Sequence, residues 1–250
     1  MSVLTDFYHW ITTSPNLMQN DALFRDLRGL NCAPLKSNQR YLGNPRLGFL
    51  YQYLCTQAFE LSAYNQVVIE EVQLNENGKT LGAIDLIVNN TQHNQLEHWE
   101  VAIKFYLLHQ GTWFGPNAHD RLDKKLDRML NHQLLMSKSD AFRQQHPQLQ
   151  VDEHCLLMQG RLYINPFHHE VVPSHCLGYK LNPTQMTGHW CYYSQAQQIG
   201  LPLFELAKDR WAIGKGETPN QIVPEPERFI HAQTANGQFW FVVPDHWSTT

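Results

Sequence analysis

Two acids and a lysine stand in segments that otherwise read as apolar strands. TLGAIDLIVNN sets Asp85 among Ile84, Leu86 and Ile87, and HWEVAIKFYLL sets Glu100 and Lys104 among Trp99, Val101, Ile103 and Phe105. A charge in a central strand must be paired, bind an ion or shift its pKa, because an unpaired buried charge costs several kcal/mol. Side chains alternate along a strand, so Glu100, Ala102 and Lys104 share a face. Asp85 and Glu100 are fifteen positions apart, an interval that a hairpin can fold so that the two acids become neighbours. Two carboxylates so placed supply the hard oxygen ligands that Mg²⁺ or Mn²⁺ prefers. A nearby lysine offsets negative charge on an attacking hydroxide or a phosphate oxygen. The same pattern also fits an Asp/Glu–Lys network that only stabilises a sheet.

The elements that must position these residues are legible in outline. After Pro45, residues 46–61 carry Leu47, Leu50, Tyr51, Leu54 and Phe59 near helical spacing. Residues 66–74 are rich in Val and Ile, and Asn77-Gly78 signals a hairpin, since both central residues of a type I′ turn need positive φ. Residues 80–88 return, a polar turn over 89–95 follows, and 98–107 complete a three-strand meander. Residues 110–118 read as a loop and 120–136 as an amphipathic helix with Leu122, Leu126, Met129, Leu130 and Leu134 on one side. A strand over 153–164 returns to the sheet. Before this core, 21–30 reads as a short helix. After it, 189–193, 229–233 and 239–243 read as strands, with a turn at Ala235-Asn236-Gly237, and 203–211 as a short helix. The expected class is α/β, a single domain over 1–250, with a core at about 40–165 and a β-rich C-terminal elaboration over 166–250.

RLGFLYQYL, TLGAIDLIV, HWEVAIKFYL and GPNAHDRLDKKLDRMLNHQ together resemble a bacterial family catalogued as domain of unknown function 1853. The helix, meander, helix and strand also resemble the PD-(D/E)XK phosphodiesterase superfamily, a restriction-endonuclease-like core. That resemblance implies a metal-dependent nuclease in which Asp85 matches the second-strand acid, Glu100 the third-strand acid and Lys104 the lysine. The usual motif has one residue between acid and lysine, whereas Val101, Ala102 and Ile103 intervene here. Lys104 therefore starts ~13 Å from Glu100 rather than ~7 Å at ~3.3 Å per residue. Many members also place a metal-binding glutamate on the first helix, where Gln52 is the match.

In the helix that follows, Arg121 and Lys125 share a face, as do Lys124 and Arg128. They suit contacts to a phosphate backbone; alternation with Asp120, Asp123 and Asp127 also suits a solvated, ion-paired face. Asn117 or His119 would cap this helix. Trp113 and Phe114 would stack on unpaired bases or pack in the core.

Other chemistries find little support. His168, His169, His175 and Cys176 cluster, but adjacent strand histidines point to opposite faces. HExxH and GxSxG are absent, and Gly214-Lys215-Gly216 lacks the Walker pattern. Five well-separated cysteines without a CxxC pair suggest buried free thiols. No run reaches the ~18 apolar residues of a membrane span, and the start lacks a signal-peptide pattern, so a cytoplasmic protein with no membrane partner is expected. The formal charge of −4 does not announce a nucleic-acid binder. Two functions follow: a Mg²⁺- or Mn²⁺-dependent nuclease using Asp85, Glu100 and Lys104, or a catalytically inactive descendant that binds nucleic acid or protein.

Overall fold

Apolar residues at helical spacing build α1 (Val3–Thr13) and α2 (Leu47–Glu60). Ser2 caps α1 by accepting from the Thr5 amide, and Phe7, Tyr8 and Ile11 form its buried stripe. In α2, Tyr51, Leu54, Cys55, Ala58 and Phe59 are buried, the pattern of one helical face. The two stripes meet at Phe7 and Tyr51, whose ring centroids are 6.4 Å apart. The computed structural model describes residues 2–36, 38–76, 78–217 and 219–247. It is a mixed α/β fold with four α-helices among those residues.

The chain divides into two compact units, one made of 1–103 and 126–159, the other of 104–125 and 160–250. In the first, β1 (Asn65–Glu76), β2 (Lys79–Asn90) and β3 (Gln95–His109) form the expected antiparallel meander. β3 lies between β2 and β5 (Glu153–Ile164). Gly78 has a φ of +75°, as the β1–β2 turn requires; Asn77 lies outside the described residues. The β1–β2 register shifts twice, at the extra residue Val68 on β1 and at the extra residue Leu81 on β2. Leu74, Ile84, Ile87, Met136 and Phe142 pack as one core cluster, each worth about 1.5–3 kcal/mol when fully buried.

Two expected helices of this region differ. Residues 21–30 contain only a 3₁₀ turn, Leu27–Gly29. Asp21 Oδ1 accepts from the Leu23 and Phe24 amides, and Phe24 bridges Leu156 of β5. A side chain that bonds its own backbone competes with a helix. The helix expected over 120–136 is also interrupted. α3 (Leu122–Arg128) gives way to a π-turn at Met129–Gln133, where the Leu134 amide reaches back to Met129 O. A 3₁₀ turn, Met136–Lys138, and α4 (Asp140–Gln145) follow.

In the second unit, Gln110 (φ 49°) and Gly111 (φ 71°) turn the chain into β4 (Thr112–Phe114), which pairs with β3. Part of the expected 110–118 loop is thus a two-residue hairpin. β6 (His175–Cys176) and β7 (Tyr179–Lys180) form a small hairpin. β8 (Gly188–Tyr192) pairs in parallel with β5 and with β12 (Phe239–Val243). β9 (Leu203–Glu205), β10 (Gln221–Ile222) and β11 (Ile230–Thr234) extend the order β8-β12-β11-β9-β10. The short helix expected at 203–211 is therefore β9 and a 3₁₀ turn, Lys208–Arg210. Pairing of Leu203 with Thr234 and Glu205 with Ala232 decides this, and a three-residue strand shows no period of its own. Cys191, Leu203, Ile230, Ala232, Trp240 and Val242 form the core beneath. All five cysteines are free, and all but Cys32 are buried.

Candidate functional site

The β2–β3 ladder runs from Asn90 opposite Gln95 to Leu86 opposite Trp99. Beyond Leu86 and Trp99, where that register ends, come Asp85 on β2 and Glu100 on β3. There each carboxylate bonds the other strand's backbone. Asp85 Oδ2 accepts from the Val101 amide at 2.9 Å, and Glu100 Oε1 lies 3.4 Å from the Asp85 amide. Side-chain oxygens thus take the place of backbone carbonyls. Asp85 is half-buried and Glu100 fully buried. The Asp85 carboxylate is also felt on α2, where burial holds the Cys55 thiol well above its usual range, against a hydrogen bond with Tyr51 and with a smaller upward push from Asp85.

Glu100 is the centre of a network that extends beyond the two acids. Gln133 Nε2 donates to Oε2 at 2.6 Å, from the π-turn. His98 Nε2 lies 3.0 Å from Oε1, His98 Nδ1 2.9 Å from Ser137 Oγ, and Ser137 Oγ 3.0 Å from His154 Nε2. Burial pushes His98 down to about 4, against a smaller upward pull from Asp85. His154 is pushed down to about 4 by burial and then by the Lys138 charge. Both imidazoles are neutral at pH 7. Against an ionised Glu100, which only accepts, His98 donates from Nε2 and its Nδ1 accepts from Ser137. Ser137 in turn accepts from His154 Nε2–H.

The donor set fits a hard cation in part. Two carboxylates on adjoining strands are suitable oxygen ligands, but no group of three or more His, Cys, Asp or Glu arranged to hold a metal occurs among the described residues. A cation held by Asp85 and Glu100 would complete its shell with water or substrate oxygens, as Mg²⁺ commonly does. The same observation bears on His168, His169, His175 and Cys176, which form no such group.

A family model described as a domain of unknown function (DUF1853) matches residues 8–217. The chain belongs to the DUF1853 family. No curated protein and no solved structure matches it.

The other expected site residues of this DUF1853 chain are distributed differently. Lys104 belongs to the second unit, where its ammonium lies 2.6 Å from Asp120 Oδ2 and the Tyr106 hydroxyl donates to the same oxygen at 3.4 Å. Gln52 is half-buried on α2, and its backbone carbonyl accepts from the Thr56 hydroxyl. Arg121 forks onto Asp123 with contacts of 3.0 and 2.5 Å. Lys124 is exposed and Lys125 half-buried. Asn117 accepts from the His119 and Asp120 amides, ahead of α3 rather than at its first turn. Trp113 is buried, as a core residue would be. His98, Gln133 and Ser137 are additions that sequence reasoning missed. His98 was detectable, since it shares the Glu100 face two residues away. Gln133 and Ser137 carried no signal.

Proposed function

We propose that this chain is a Mg²⁺- or Mn²⁺-dependent phosphodiesterase acting on nucleic acid, with Asp85 and Glu100 as the metal ligands. The resemblance to the PD-(D/E)XK superfamily supplies the reaction class. The observation that carries the reading is the reciprocal hold of two acids at the point where the β2–β3 ladder ends. Bound there, the cation would supply a more acidic water and offset charge at phosphorus. The chain's own part is positional. The Val101 amide fixes the Asp85 carboxylate, while Gln133 and His98 fix that of Glu100. Such fixed ligands lower the ordering cost of binding an ion. Lys104, held by Asp120, is not required by this reading.

The test is Mn²⁺ titration calorimetry together with cleavage of labelled DNA and RNA, single- and double-stranded. The expected result is one Mn²⁺ site and EDTA-sensitive cleavage, both lost in Asp85→Ala. Absence of Mn²⁺ binding, with cleavage unaltered by that substitution, overturns it.

A second reading is a binding module of the same fold without catalysis. It is favoured by the Lys104–Asp120 pair, which engages the one lysine of the motif, and by hydrogen bonds on both oxygens of Glu100. Nucleic-acid binding without cleavage, retained in Glu100→Gln, selects this reading.

A further inference from the structure

Ser137 also lines a cleft of about 460 Å³ in the first unit, together with Lys138, Arg143, His146, Leu149 and Gln150. Its charged lining is wholly basic, in a chain of net charge −4. Three features make it more than a solvated face. The Arg143 guanidinium is held from both sides, Nη1 on Asp140 Oδ1 at 2.9 Å and Nη2 on the Lys138 carbonyl at 2.6 Å. Two of its five N–H donors are thereby used and the fork is fixed, with the others available to a ligand. The Lys138 ammonium has no ion-pair partner among the described residues, and its residue is exposed. His146, tilted on Phe142 with centroids 5.1 Å apart, keeps an enclosed Nε2 that has no hydrogen-bond partner there. A buried nitrogen left unpaired costs free energy, which a turn of the imidazole toward a bound oxygen would recover.

We infer that this cleft is a phosphate-binding site, in which the Arg143 fork and the Lys138 ammonium take the anionic oxygens of a phosphodiester or phosphomonoester. A planar fork beside a mobile point charge suits a tetrahedral oxyanion. The site differs from the α3 bases, where Arg121 turns both bonds of one edge onto the Asp123 carboxylate, whereas Arg143 gives one to Asp140 and one to a neutral carbonyl. It deepens the nucleic-acid reading by naming a backbone contact, and rests on that reading only for the source of the phosphate.

The test is binding in EDTA, which separates it from metal-dependent cleavage. Fluorescent single-stranded and duplex oligonucleotides are titrated onto the full chain, and inorganic phosphate is titrated separately. The expected result is binding that weakens about tenfold in the Lys138→Ala, Arg143→Ala double variant, with a salt slope lower by about two. Lys180→Ala, which removes an exposed charge in the second unit, is expected to leave it unchanged. Binding of inorganic phosphate alone, lost in the double variant, assigns the site to a small phosphate ligand and sustains the inference. Equal binding by wild type and double variant, or no binding of any probe, overturns it. Cleavage lost in Asp85→Ala with EDTA binding intact keeps the two proposals apart.

Discussion

Gln133 and Glu100, thirty-three residues apart, are joined by a 2.6 Å hydrogen bond from Nε2 to Oε2. The bond exists because the helix after Arg128 widens into a π-turn, which re-aims the residues that follow. Glu100 therefore meets Gln133 and His98 as well as the Asp85 amide, with its carboxyl group fully enclosed.

Removing that carboxylate should cost more than neutralising it. Glu100→Ala strands the Gln133 and His98 donors, at about 1–3 kcal/mol for each unsatisfied group. Glu100→Gln keeps an oxygen for Gln133 and turns its NH₂ toward His98, which can answer by moving its proton to Nδ1, so that only the long 3.4 Å contact from the Asp85 amide is lost. About 1–2 kcal/mol is expected there. Denaturant unfolding gives the two energies, and ¹⁵N shifts of His98 report the change of tautomer. Equal losses, with the tautomer unchanged, contradict the arrangement.

At Asp85 the carboxylate accepts a backbone bond as well as facing a prospective cation. Asp85→Asn retains an acceptor for the Val101 amide and should stay within about 1 kcal/mol of wild type in metal-free buffer. Asp85→Ala should lose about 1–3 kcal/mol. Both should lose Mn²⁺ binding. If Asn binds the ion as well as Asp does, the carboxylate is a strand fastener only.

Stability should fall on mild acidification. His98 and His154 sit near 4 in the folded chain against an ordinary 6.5. Between those values the unfolded chain binds protons that the native chain refuses, so unfolding free energy rises with pH across pH 4 to 6.5. Fully buried His98 contributes a slope of up to about 1.4 kcal/mol per pH unit in that window. Unfolding measured from pH 7.5 to 4.5 should show the decline, and His98→Gln should make it shallower. A flat profile counts against a neutral His98.

Two glycines should respond to alanine with opposite signs. Gly160 in β5 has a φ of +145°, and a Cβ there would lie 1.7 Å from the Lys104 carbonyl oxygen. Backbone cannot yield that far, so Gly160→Ala should lose more than about 4 kcal/mol and give little folded protein. Gly48 in α2 has open space at the Cβ position. Gly48→Ala should gain about 0.5–1 kcal/mol by reducing unfolded-chain freedom. Soluble yield and thermal unfolding read both.

The amino-acid sequence by itself determined the meander, α2, β5 and the placing of Asp85 and Glu100 on adjoining strands. Period-two alternation and short turns are local properties, and they fix which side chains share a face once neighbouring strands pair. The rest was decided by tertiary structure. Nothing local distinguishes a helix over 120–136 from one broken at Met129, because the break is stabilised by contacts such as Gln133 on Glu100 and His132 on the Leu81 carbonyl. Lys104 finds Asp120 rather than an acid of its own motif, and residues 203–205 become a strand because β11 offers them an edge. Hydrogen-bond partners distant in the chain compete with local preference at comparable free energy, and only the assembled backbone decides between them.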